Sequence, residues 1–166
     1  MSDPTRTKHS FAPVVDPHVR LLVLGSLPGE ESLARAQYYA NPRNHFWRLM
    51  SAVIDVDLVP LSYEARLEAL LAAHVGLWDS VGSATRSGSL DSAIKAHTVN
   101  SLSALAASLP DLRAIAFNGG TSARIGQREL GPEGAFDRVQ LPSSSPAFTL
   151  PFERKVDAWL QLRRFL

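Results

Sequence analysis

Apolar residues recur along this chain in two alternating patterns, and the alternation predicts its architecture. Short apolar runs stand at 20–24 and 113–117, a strand-like segment at 75–79, and a last strand is expected near 137–141. Each gives way to glycine, serine, asparagine or proline, as buried parallel strands that end in loops do. Between them lie segments with helical spacing. Phe46, Leu49, Met50, Val53 and Ile54 share one face over 44–54, and Leu67, Leu70 and Leu71 share another over 63–74. Further helices are expected from residue 30, where two glutamates suit the first turn, over 99–109, over 121–130, and from 151 to the end, with Val156, Trp159 and Leu160 as a buried stripe. Strands alternating with helices predict an α/β fold whose parallel sheet is covered on both faces. The sequences GSLPG, WDSVGS, NGG and LPSSSPAF then gather along the carboxyl edge of the sheet, where ligands bind in such folds. Residues 80–91, rich in Ser, Gly and Thr around Arg86, read as a surface loop. Residues 1–18 read as a flexible N-terminal arm with Phe11 and Val14 docking on the body, and 19–166 as a single domain.

Composition narrows the chemistry. A chain of 166 residues is long enough to bury a core without bridges or metals. The absence of cysteine removes disulfides, thiol nucleophiles and thiolate-held clusters. A formal charge of +1 gives no vote for or against nucleic acid, because a local patch makes the electrostatic footprint. No segment is apolar enough to span a bilayer and the first residues lack a signal-peptide run, so the reading is a soluble, cytoplasmic protein with no membrane partner.

Several catalytic classes are unsupported. GSLPG is not G-x-G-x-x-G, no Gly-Lys-Ser or Gly-Lys-Thr is present, and Ser143, Ser144 and Ser145 lack the glycines of a nucleophile elbow. The five histidines show no ligand spacing, so neither a metal nor a cofactor is expected. The stretch QYYANPRNHFW at 37–47 is a different matter, with adjacent tyrosines, two asparagines, a proline and an arginine crowded ahead of a helix. Tyr38 and Tyr39 offer rings for stacking, and Asn41 and Asn44 offer amides that donate and accept. The same residues equally suit a helix entry, with an asparagine cap and with Phe46 and Trp47 in the core.

In order, GSLPG at 25–29, YYANPRNHFW at 38–47, GLWDSV at 76–81, RSGSLDSAI at 86–94, FNGG at 117–120 and LPSSSPAF at 141–148 resemble the uracil-DNA glycosylase superfamily, most of all its hypoxanthine-DNA (deoxyinosine) glycosylase branch. The resemblance implies a three-layer α/β/α sandwich with a central, mostly parallel four-stranded sheet. It implies a monofunctional, monomeric enzyme of base-excision repair that hydrolyses the bond between deoxyribose and a deaminated base in DNA. By the same resemblance Tyr39 matches the aromatic that stacks on the flipped base, and Asn44 matches an asparagine of the mismatch-specific uracil enzymes. Those enzymes carry a water-positioning asparagine where this chain has Leu27, and their last loop often opens with Asn or His where this chain has Leu141. Both departures resemble the hypoxanthine branch and put the working asparagine at Asn44.

A flipped hypoxanthine shows acceptors at O6 and N7 and a donor at N1. The loop of Ser26, Leu27, Pro28 and Gly29 is expected to supply donors, and Asp79 or the Ser80 hydroxyl to accept from N1–H, although Asp79 equally suits a cap or ion pair. Ser143, Ser144 and Ser145, bounded by Pro142 and Pro146, resemble the loop that pinches the DNA strand. Phe148 either wedges into the stack or anchors the last helix, and Arg43 and Arg86 either contact phosphates or face solvent. Three rival functions are a mismatch-type uracil-DNA glycosylase, a DNA-damage binder without turnover, and a nucleotide-binding regulatory domain.

Overall fold

The computed structural model describes residues 6–85, 89–91, 94–132 and 134–166. Among the described residues, seven strands and six helices follow one another as β1 (Thr7–His9), β2 (Leu21–Gly25), α1 (Glu30–Arg35), α2 (Phe46–Ile54), α3 (Tyr63–Ala72), β3 (Val75–Asp79), β4 (Val81–Thr85), β5 (Lys95–Val99), α4 (Leu102–Ser108), β6 (Ala114–Asn118), α5 (Gly120–Leu130), β7 (Asp137–Leu141) and α6 (Phe152–Trp159), the last running into a 3-10 segment, Leu160–Phe165. Arg86 lies outside the described residues.

The central sheet has the order β3-β2-β6-β7, and every neighbouring pair is parallel. The two inner strands, β2 and β6, are buried throughout because both faces are covered, whereas the edge strand β7 keeps Asp137 and Gln140 exposed. Leu21 and Val23 of β2 point to the layer of α2, α3 and α6, where they meet Phe46, Leu49, Met50, Leu70 and Trp159. Leu22 and Leu24 point the other way, to Leu102 of α4 and Ala123 of α5. The architecture is the expected three-layer α/β sandwich. Helix α2 owes its place to Phe46, Leu49, Met50 and Val53, which recur every three or four residues and are all buried. Register positions the site. Gly25 pairs with Asp79, Leu24 with Phe117, and Asn118 with Leu141, so the carboxyl ends of all four strands finish in one row.

One expectation about the chain's outer parts is corrected. Residues 80–91 do not form a loop throughout: Val81–Thr85 is β4, the middle of a three-stranded antiparallel sheet β1-β4-β5. Its Ser, Gly and Ala give little strand propensity, and pairing on both sides decides the matter. Val81 and Ala84 pack on Leu27 and Ile125, and the Asn100 amide donates to the Asp79 and Val81 carbonyls at 2.8 and 3.3 Å. Residues 7–14 are fastened to the body, with Phe11 and Val14 docked on it as the sequence reading expects. Strand β1 pairs with β4, and Ser10 N–H donates to Gly82. Phe11 meets Tyr38 edge to face at 5.1 Å, its carbonyl accepts from Trp78 Nε1 at 2.8 Å, and Val14 bridges Leu77. Among the described residues no helix is long and apolar enough to cross a membrane.

Candidate active site

Above the row of strand ends lies an open cleft of about 1050 Å³. Its walls are the glycine loop after β2, the segment between α1 and α2, the end of β3, the start of α5 and the loop after β7. Of the residues expected at the site, Ser26, Leu27, Pro28, Gly29, Tyr39, Arg43, Asn44, Asp79, Ser143, Ser144, Ser145, Pro146 and Phe148 all border it.

Ser80 does not. It is fully buried, and its hydroxyl lies 3.1 Å from the Ser122 carbonyl and 3.0 Å from the Ser122 hydroxyl, on the α5 side of the sheet. Successive side chains in extended backbone point to opposite faces, so Asp79 and Ser80 cannot both reach the cleft. Asp79 is the one that does, at 3 % exposure. A methyl group on Gly25 would stand 2.6 Å from Asp79 Oδ1 and 2.9 Å from the Tyr39 hydroxyl. The glycine at the end of β2 is what lets the carboxylate and the phenol approach the same point.

Asn44 is both cap and wall. Its Oδ1 accepts from Phe46 N–H at 2.9 Å, satisfying one of the orphan donors at the start of α2 and fixing the carboxamide plane. Among the described residues its Nδ2 has no protein partner, and the group borders the cleft. The two sequence alternatives, cap and site, are therefore compatible.

Tyr39 has φ 54°, a left-handed conformation that is rare for an aromatic residue. Stacking holds it there. Its ring lies on Phe46 with centroids 3.8 Å apart and planes 16° from parallel, Trp47 meets it edge-on, and Trp47 Nε1 donates to its carbonyl at 3.1 Å. Phe46 and Trp47 are buried core residues that support the cleft from behind. Burial and the Asp79 charge raise the Tyr39 phenol well above its ordinary range, so it stays protonated and can donate.

The serine loop is pinned from several sides. Trp159 Nε1 donates to the Pro142 carbonyl at 2.9 Å, His45 N–H to the Ser144 carbonyl at 2.9 Å, and Lys155 Nζ to the Ser145 carbonyl at 3.2 Å. Within the loop, Ser145 N–H donates to the Ser143 hydroxyl and Ala147 N–H to the Ser145 hydroxyl, which keeps the turn open. Ser144 differs from its neighbours. It is buried, and Asn118 engages both its groups: Asn118 Oδ1 accepts from Ser144 N–H and Asn118 Nδ2 donates to Ser144 Oγ. The accessible part of the loop thus falls to Ser143 and Ser145, with Ser144 as its footing.

Asn118 was not among the residues expected at the site. FNGG reads as a turn, yet a buried polar residue at the carboxyl end of a parallel strand is the signal that finds it. Its Nδ2 also lies 3.3 Å from the Tyr39 hydroxyl, joining β6, the serine loop and the aromatic wall. Arg124 of α5 borders the cleft as well and adds a cation that the sequence reading did not include. Segment 89–91 closes the remaining side, where Asp91 Oδ1 accepts from the Ser26 hydroxyl at 2.6 Å and the Ser89 hydroxyl accepts from Glu30 N–H at 2.8 Å. Phe148 is 45 % exposed at the rim.

Comparison with known proteins agrees with this layout. The family model described as the uracil DNA glycosylase superfamily matches residues 12–163. A hypoxanthine DNA glycosylase of Methanosarcina barkeri is 43 % identical over 112 residues, 68 % of this chain and 71 % of that protein. A hypoxanthine DNA glycosylase of Methanosarcina acetivorans is 40 % identical over 141 residues, 84 % of this chain and 87 % of that protein. A solution NMR structure from Methanosarcina acetivorans, described as a candidate uracil DNA glycosylase, superposes with TM-score 0.84 at 35 % identity, covering 96 % of this chain and 99 % of that one. By the family match over nearly its whole length, the chain belongs to the uracil DNA glycosylase superfamily.

Proposed function

We propose that this protein is a monofunctional DNA glycosylase that takes a deaminated base, hypoxanthine first and uracil second, out of the helix and hydrolyses its N-glycosidic bond. The observation that carries the reading is Asn44, whose carboxamide is held by Phe46 N–H at the wall of a cleft roomy enough for a flipped nucleotide, with its nitrogen unspent. The relatives named as hypoxanthine DNA glycosylases support the substrate class.

The chemistry follows from the atoms present. One lone pair of Asn44 Oδ1 is taken by the helix cap, and the other accepts from a water O–H, turning the water's own lone pair toward C1′. As the bond from C1′ to the base nitrogen lengthens, positive charge grows on the sugar and the bonding pair leaves with the base. Water oxygen then bonds to C1′, its surplus proton passes to solvent, and the base picks up a proton on nitrogen. An amide cannot take the proton as a carboxylate would, so the site forgoes general-base help of roughly 100- to 10,000-fold and relies on placement. Tyr39 offers the base a ring stiffened by Phe46, and in this reading the Asp79 carboxylate, which borders the same cleft, accepts from N1–H of hypoxanthine. Ser143 and Ser145 present hydroxyls to the strand beside the flipped nucleotide.

Duplexes carrying a single deoxyinosine, treated with the protein and then with alkali, test the reading. Strand cleavage at the lesion is expected. Cleavage at uracil alone would place the protein with the mismatch uracil enzymes, and tight lesion binding without base release would make it a damage binder.

A further inference from the structure

Lys155 stands in the first turn of α6 with its side chain completely buried. Lysine is almost never found so placed unless it is paired with an anion. Here no carboxylate lies within 4 Å of it among the described residues, whose ion pairs are Lys8 with Glu30 and His18 with Asp111. The ammonium instead donates to the Ser145 carbonyl at 3.2 Å and to His45 Nδ1 at 3.4 Å, beneath the Phe148 ring at 5.6 Å. An ammonium only donates, so His45 must accept through Nδ1 and carry its proton on Nε2. Burial, Lys155 and Arg48 all press His45 toward that neutral form, and burial presses Lys155 toward losing its own proton.

A lone cation in this position is poor structural material, since an apolar side chain of the same length would fill the space without the desolvation cost. Its location suggests what offsets that cost. The Ser145 carbonyl it holds belongs to the loop whose Ser143 and Ser145 border the cleft, and His45, the residue next to Asn44, donates its N–H to the Ser144 carbonyl of the same loop. Arg43 and Arg48 line a groove of about 480 Å³ on the outer side of that loop, which no carboxylate borders, so that face of the loop is positive.

We propose that Lys155 is a positioning residue and the buried counter-charge of a DNA backbone phosphate, which sits on the serine loop beside the flipped nucleotide and completes the ion pair that the free protein lacks. The inference rests on the reading of the cleft as a DNA site. Loop and ammonium form one unit: the carbonyl bond sets the loop's shape, and the charge acts through its thickness on the phosphate. Substrate binding thereby also tightens the link from the loop to Asn44.

Affinity of the full chain for a duplex with one tetrahydrofuran abasic site, measured against salt for the parent, Lys155→Met and Lys155→Gln, tests this. A neutralised phosphate contributes about 0.9 to the slope of log K against log salt. Both variants are expected to lose about that much slope and to bind several-fold more weakly at low salt, with Lys155→Met melting at or above the parental temperature. Gln restores a donor to the Ser145 carbonyl without charge. Parental slope in Lys155→Gln, or parental slope in both variants with a lowered melting temperature, would make the lysine a structural tie and overturn the proposal. If the parent itself shows no salt-dependent DNA binding, the DNA reading of the cleft fails and takes this inference with it.

Discussion

Asn118 and Ser144 are joined by two hydrogen bonds, from Ser144 N–H to Asn118 Oδ1 at 2.9 Å and from Asn118 Nδ2 to Ser144 Oγ at 2.8 Å. The pair locks the end of β6 to the loop after β7 at the floor of the cleft. Replacing Asn118 by Ala leaves a buried backbone N–H and a buried hydroxyl without partners. Each unsatisfied group costs about 1–3 kcal/mol. We expect Asn118→Ala to lower stability by about 2–4 kcal/mol in urea melts, and to slow base release beyond that loss when compared at a temperature where the variant is folded. A variant as stable as the parent would show that the loop does not depend on this lock.

The double use of Asn44 can be separated. Serine and aspartate are good caps, whereas alanine is not, and loss of a cap costs roughly 1 kcal/mol. Asn44→Ala should lose both that stability and nearly all base release, while Asn44→Ser keeps the melting temperature and still falls by about 100-fold or more in single-turnover rate. Parental rates in Asn44→Ser would reduce the residue to a cap.

Gly25 and Tyr39 set the pocket's inner dimension. The Cβ of Gly25→Ala would press on Asp79 Oδ1 at 2.6 Å and on the Tyr39 hydroxyl at 2.9 Å. Overpacking of this kind costs about 1–3 kcal/mol, and here it displaces the two groups we propose to face the base. Excision should drop far more than duplex affinity. Tyr39→Ala should weaken productive binding by about 1–3 kcal/mol, the scale of one base stacked on an aromatic ring. Single-turnover rates with protein in excess of DNA, compared below and at saturation, separate the two variants.

Acid stability should depend on His45. Burial, Lys155 and Arg48 hold its folded-state pKa below the ordinary 6.5. Between the two values the unfolded chain binds the proton and the folded chain does not, so stability decreases as pH falls through 6.5 and goes on decreasing until the folded imidazole is protonated. The cations facing it are Lys155 from α6 and Arg48 from its own helix; Phe152 supplies an uncharged edge at 5.1 Å. Urea midpoints at pH 7.5 and pH 5.5 should differ less in His45→Gln than in the parent. An equal difference in the two proteins would remove His45 from the acid response.

The four central strands and most helices were legible because each buries a periodic apolar face: Leu21 to Leu24 and Ala114 to Phe117 have no other stable setting. Strand β4 was not, because VGSAT carries almost no apolar signal and exists through its neighbours β1 and β5. The site divides the same way. Tyr39, Asn44 and the loops came from motif and resemblance, and all border the cleft. Ser80 was misjudged because a motif is read in one line, whereas extended backbone turns each residue away from the last. Asn118 escaped because its partners, Ser144 and Tyr39, are 26 and 79 positions away.

The fastening of residues 7–14 bears on how the molecule can be handled. Phe11 leans on Tyr38, Tyr38 donates to the Ala12 carbonyl at 3.1 Å, and Tyr39 follows directly. A truncation beginning at 19, the tidy boundary by composition, would strip the outer buttress from the aromatic wall and expose the flank of Leu77 that Val14 covers. An affinity tag is better carried after Leu166, and a shortened version that melts normally but no longer holds its base would trace back to this missing brace.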